Sequence, residues 1–212
     1  TGASNTAVGR QALEANTTGT ENTAVGKDAL KANTTANGVT AVGEAALKAN
    51  TTGASNTAVG EGALTTNTTG TRNTATGNAA LNAATTGDDN TGLGYFALVS
   101  ATTASDNTAV GSSEMENTTT GHSNVAVGFE VLKQNTTGSE NTAMGYQALD
   151  AATTADNNVA IGRLAGTGLT TGGSNTIVGA AAMQTNSTGV GNVAIGISAL
   201  AVAQGSDNVA VG

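Results

Sequence analysis

The 212-residue chain has no cysteine, no proline and no tryptophan, and its aromatic content is 2%, two Tyr and two Phe. Without cysteine there is no disulfide framework and no thiolate metal site, and the redox compartment stays open. Four aromatics cannot build the large central core usual in a globular enzyme of this length. Only 10% of residues are charged, with a net charge of -8 and no basic stripe, which argues against nucleic acid as a partner. Charge this sparse does not explain the composition by self-repulsion either. No run of about 18 apolar residues exists, so no membrane contact is expected from this segment.

What the chain has instead is one pentapeptide, Asn-Thr-Ala-Val-Gly or a close variant, returning every 17 residues. Copies open at Asn5, Asn22, Val39, Asn56, Asn73, Asn90, Asn107, Asn124, Asn141, Asn158, Asn175 and Asn192, and a thirteenth opens one residue early at Asn208. A fixed period of this kind marks a solenoid, in which each unit buries its apolar face against its neighbours. The expected architecture is an all-β parallel β-solenoid (β-roll) of about twelve 17-residue coils, spanning residues 1–212 as a single repeat region. Thr1 and Gly212 both fall in mid-repeat and no polar capping unit is visible, so the chain reads as an excerpt from a longer fibre.

Counted from the Asn, the consensus is N-T-A-V-G-x-x-A-L-x-x-N-T-T-G-x-x. Position 5 is always glycine: Gly9, Gly26, Gly43, Gly60, Gly77, Gly94, Gly111, Gly128, Gly145, Gly162, Gly179, Gly196 and the terminal Gly212. Glycine alone readily accepts positive φ, so these are read as turn glycines. Positions 2 to 4 alternate in the manner of a strand, with 2 and 4 on one face and the nearly all-Ala position 3 on the other. Position 4 supplies Val8, Val25, Val42, Val59, Leu93, Val110, Val127, Met144, Ile161, Val178 and Ile195, a column expected to be buried along an axis between chains. Positions 6 to 12 contain helix formers, but helices pack about 10 Å apart and strands about 4.8 Å apart. An extended second segment is therefore favoured over a helical turn.

Every Lys and Arg occupies position 6, 10 or 17. The acids use those slots and positions 7 and 16, with Glu114 at position 8 the exception. A disordered chain has no reason to sort charge this way, and the variable slots are read as facing solvent. Asn at position 1, and often at 12, is expected to form side-chain ladders and turn bonds. The apolar complement of one coil is small beside the entropy of ordering it, so a symmetric oligomer is the expected remedy.

The runs Asn158-Val-Ala-Ile-Gly162, Asn192-Val-Ala-Ile-Gly196 and Asn124-Val-Ala-Val-Gly128 resemble the head repeat of YadA-like trimeric autotransporter adhesins. In that family an Ala follows three residues after the Gly, matched here by Ala165 and Ala199, with Val131 in the third run. Asn-Thr-Ala-Val-Gly arrays are also similar to shaft regions of phage tail fibres. The resemblance implies a left-handed parallel β-roll, three copies of the chain side by side, and an extracellular place on a bacterial surface or phage tail fibre. It covers the whole chain through a short structural motif. The repeat departs from the family by roughly two or three extra residues after the Leu column and by Thr in place of Val at position 2.

Chemistry-bearing residues are few. The one histidine, His122, reads as a solvated surface residue, and no Ser-His-acid group can be built around it. Asp88-Asp89, Asp106 and Asp156 precede strands, but the calcium-binding Gly-Gly-x-Gly-x-Asp nonapeptide is absent. No catalytic residue, metal site or cofactor is assigned. The four aromatics, Tyr95, Phe96, Phe129 and Tyr146, sit at positions 6 and 7. Stacking places Tyr95, Phe129 and Tyr146 in one column, a surface-contact patch for a glycan or host receptor, or padding between protomers. Asn-x-Ser/Thr sequons at Asn16, Asn33, Asn50, Asn67, Asn117, Asn135 and Asn186 follow from the repeat itself. The function expected is a shaft or head segment of a trimeric adhesive fibre. Its competitors are a monomeric Thr-rich ice-binding solenoid and a polysaccharide-acting β-helix, which would need clustered acids.

Overall fold

The computed structural model describes residues 2–202 and 204–212. The chain divides into two compact units, Thr1–Asp106 and Asn107–Gly212, and both are parallel β-solenoids. The first holds β1 (Thr6–Val8), β2 (Thr23–Val25), β3 (Thr40–Val42), β4 (Thr57–Val59), β5 (Thr74–Thr76) and β6 (Thr91–Leu93). The second holds β7 (Thr108–Ser112), β8 (Val125–Phe129), β9 (Thr142–Tyr146), β10 (Val159–Ile161), β11 (Thr176–Val178), β12 (Val193–Ile195) and β13 (Val209–Val211). Within each unit consecutive strands pair in parallel, like position on like position: Ala24 on Ala41, Ala126 on Ala143. The early thirteenth copy keeps this register, with Val193 opposite Val209.

The strand's inner face is position 3. Away from the end coils its alanines are buried, as are the position 8 alanines and the position 9 leucines such as Leu30, Leu47, Leu64 and Leu81. The Leu of one coil packs onto the position 3 column: at Gly92 an added methyl would sit 3.4 Å from Leu81 Cγ. That contact is why the column stays small. Positions 2 and 4 consequently face outward.

The second segment is neither extended nor helical. In the second coil it is three successive turns, with Ala29 N–H donating to Gly26 (3.4 Å), Lys31 to Asp28 (3.3 Å) and Asn33 to Leu30 (3.2 Å). Asp28 (φ 58°) and Leu30 (φ 51°) are left-handed at the third residue of the first two turns, as a type II turn requires. The alternate N–H groups leave the coil: Asp28 donates back to Arg10, and Leu30 and Ala32 donate forward to Ala46 and Lys48, at 2.9–3.0 Å. The spacing argument for an extended path demanded only that coils bond at strand-like separation, and this run of turns meets that demand. The cost is a left-handed Leu in nearly every coil, which local preference disfavours by about 1–2 kcal/mol per residue.

Two asparagine ladders close the coil. Asn22 Nδ2 and Asn33 Nδ2, at positions 1 and 12, both donate to the Ala36 carbonyl at position 15, at 2.8 and 3.4 Å. Each ladder also climbs from coil to coil, as in Asn33 to Asn16 Oδ1 (2.9 Å) and Asn175 to Asn158 Oδ1 (2.9 Å). These amides are buried, and buried polar groups are tolerable only when paired in this way. Position 13 threonines add a rung, Thr51 Oγ1 donating to the Thr68 carbonyl at 3.0 Å.

The position 5 glycines have φ between 124° and 147°. A Cβ on Gly43 would lie 2.5 Å from the Gly60 carbonyl oxygen, so strain and contact both forbid a side chain. Gly38 separates the two effects, because its φ is 63° but nothing lies within 4 Å of its added Cβ. Thermal unfolding should show Gly43→Ala costing about 3 kcal/mol or more and Gly38→Ala about 1 kcal/mol. Equal losses would mean that the close approach between coils is not what fixes glycine at position 5.

One coil departs from the pattern and is repaired by its neighbours. Gly166 stands where other coils have Leu or Met, Leu169 stands in the Asn slot at position 12, and Ile177 replaces Ala at position 3 of the next coil. An added Cβ on Gly166 would meet Ile177 Cδ1 at 2.8 Å and Leu149 Cδ2 at 2.9 Å, so Ile177 fills the space the missing Leu vacates. Ile177→Ala should cost about 2–4 kcal/mol and Gly166→Leu about 1–3 kcal/mol. Combined, they restore the consensus packing. The double variant should recover at least about 2 kcal/mol of the summed loss in urea unfolding, and strict additivity would contradict this reading.

Candidate interaction surface

The outward face of the strands is an exposed apolar file. The position 4 column, expected to be buried along an axis between chains, is not buried within one chain. Met144 and Ile161 are each 40% exposed, Val8, Val59, Leu93 and Ile195 are exposed, and Val25, Val42, Val110, Val127 and Val178 are half-buried. The reason is geometric. Alternation allows one inward column, and the Leu packing assigns it to the alanines.

In the second unit this face widens. The strands β7, β8 and β9 run two residues past the usual end, through the position 5 glycine, so that position 6 joins the same face. Phe129 and Tyr146 stack there, with ring centroids 5.7 Å apart and planes 7° from parallel. Arg163, at the same position one coil on, places its guanidinium 5.9 Å from the Tyr146 ring centroid, within cation–π range. The rings remain 44% and 45% exposed. Tyr95 and Phe96 lie in the first unit as their own pair, 4.0 Å apart and tilted by 33°, with Tyr95 exposed. Arg163 was not singled out from sequence, although its place in the aromatic column was readable from the period.

Charged side chains decorate the turn run and the loop that precedes each strand. Lys27 pairs with Glu44 at 2.6 Å, and Arg72 grips Asp89 with two bonds of 2.7 Å. Hydrogen bonding to Arg72 lowers the Asp89 pKa; both groups are solvated, so the pair adds little stability. Asp28 corrects the expectation that variable slots face water, being buried between Lys31 (3.9 Å) and Lys48 (3.7 Å). A groove of about 680 Å³ follows positions 10 and 11 of the first four coils, floored by Ala15, Ala32 and Ala49 and edged by Glu14, Lys31 and Lys48.

The remaining candidates resolve into local chemistry. Asp88 accepts from Thr71 N–H at 2.6 Å and Asp156 from Ser139 N–H at 2.7 Å, so both are turn caps. His122 is exposed, its ring 3.3 Å from Ser123 Oγ. Among the described residues no group of three or more His, Cys, Asp or Glu side chains is placed to hold a metal, and no helix is long and apolar enough to cross a membrane. The sequon asparagines Asn33, Asn50, Asn67, Asn135 and Asn186 are buried at position 12. Asn117, at position 11, stays outside and bonds Gln134 at 3.2 Å. No family model, curated protein or solved structure matches the chain. What can be argued about function therefore rests on the surface just described.

Proposed function

We propose that the chain is a structural and adhesive segment, shaft or head, of an extracellular trimeric fibre of the YadA-like or phage tail-fibre kind. In this reading three copies form left-handed β-rolls side by side, joined through positions 2 and 4. The observation that carries it is the outward apolar file. Val, Ile, Leu and Met recur at one outward position of a regular solenoid, where a water-facing strand would carry polar residues. The widened patch around Val127, Phe129, Met144, Tyr146 and Ile161 extends this face. The segment would hold a binding tip away from its anchor, or meet a surface glycan or host receptor along its flank. No role requires catalysis or a cofactor.

The ice-binding alternative draws less support. Position 13 hydroxyls turn to the next coil's carbonyl, which leaves one exposed threonine file at position 14 instead of a two-dimensional array.

Light scattering on the folded chain should give three times the chain mass. Met144→Asp combined with Ile161→Asp should release monomers, with dissociation raised at least about 100-fold, because both charges would enter an apolar interface. Far-ultraviolet circular dichroism should be unchanged, since both side chains point away from the coil interior. A parent chain that is a folded monomer would sink the trimeric reading.

A further inference from the structure

Position 8 points into the coil interior, and it is Ala in every coil except two: Val131 and Glu114. Glu114 is 0% exposed. Neither carboxylate oxygen has a hydrogen-bond partner. The carboxyl group lies against Gly111, where an added Cβ would fall 2.8 Å from Glu114 Cδ, so a glycine corner makes the room it occupies. The following coil closes over the same spot, with the Gly128 carbonyl also at the place a Gly111 side chain would need.

Among the described residues no ion pair reaches Glu114. On its own coil the other acid is Glu116, and on the next coil the charged groups are Glu130, Lys133 and Glu140. Glu116, Glu130 and Lys133 form an outer cluster, Lys133 pairing with Glu130 and, at 3.8 Å, with Glu116. Neutral, this carboxyl is an oversized but tolerable filler. Ionised, it is an unpaired charge in an apolar interior, which a fold tolerates poorly.

We propose that Glu114 makes its coil a pH-sensitive joint in the solenoid, closed when the carboxyl carries its proton and loosened when it loses it. Burial pushes the group from its ordinary 4.5 up to about 7. The folded coil therefore holds the proton more tightly than the opened coil does. The stabilisation is full below about pH 4.5, declines as pH rises from there, and is gone once pH has passed about 7. A 17-residue repeat contacts only its neighbours, so the loosening is local.

Hydrogen exchange of the full chain, corrected for the intrinsic pH dependence of amide exchange, tests this. Between pH 5 and pH 8 the protection of residues 108–118 should fall at least tenfold, and by up to about 70-fold if the whole shift is expressed. Residues 57–70 serve as the internal reference. Glu114→Ala restores the consensus residue, and Glu114→Gln keeps the shape without a titratable group. Both should fold and show protection of residues 108–118 that does not change with pH. The same pH-dependent loss in either variant as in the parent would overturn the proposal, as would a parent whose loss at 108–118 merely matches that at 57–70.

Discussion

Consecutive coils approach so closely at the position 5 corner that only a glycine fits, and the rest of the molecule follows from that contact. A backbone with one hydrogen at that point can stack at strand separation, each corner seated on the carbonyl of the next. With the spacing fixed, like residues must lie over like. Columns of identical small or flat groups are then favoured, and the chain supplies them as alanine at 3 and 8, asparagine at 1 and 12, and threonine at 13. A helix cannot meet the same spacing, so the helix formers at positions 6 to 12 fold instead into a run of turns. Their alternate amides bond up and down the stack. The left-handed leucines are the conformational cost, offset by complete burial of the side chain and by the bonds between coils.

The same constraint assigns the two faces of the strand. Leu from the turn run reaches the inner face and leaves room there only for alanine. The larger residues of positions 2 and 4 are turned outward, where the described residues leave them partly or fully exposed. One chain thus satisfies its polar backbone thoroughly while leaving an apolar stripe, the combination on which the fibre reading rests. Glu114 breaks the column rule in the opposite sense, a polar group placed inside without a partner.

Much of this was legible in the period. The coil length, strands at positions 2 to 4, glycine corners and asparagine ladders all follow from a 17-residue repeat read position by position. The turn run was not legible, because backbone sign alternation at positions 7 and 9 leaves no mark in residue type: position 7 holds Gln11, Asp28, Ala45 or Phe96 at the same positive φ, and the Leu of position 9 does not announce one. Which strand face lines the coil was not legible either. Val and Ile normally mark the buried side of a strand, and only the reach of the Leu side chain shows that alanine holds that side here. The Gly166, Leu169 and Ile177 exchange is spread over two coils and three columns, and becomes one compensated change only when the packing is seen. The aromatic column could be placed from sequence, whereas the partners of Phe129, Tyr146 in one direction and Arg163 beyond it, needed the register.

The account stands on coils stacked at strand separation, and X-ray diffraction from an aligned film of the folded protein tests that most directly. A meridional reflection near 4.8 Å would report one coil per strand spacing along the axis. The account predicts that reflection. Its absence, with diffraction at the roughly 5.4 Å helical pitch in its place, would contradict the stacked corner and everything built on it.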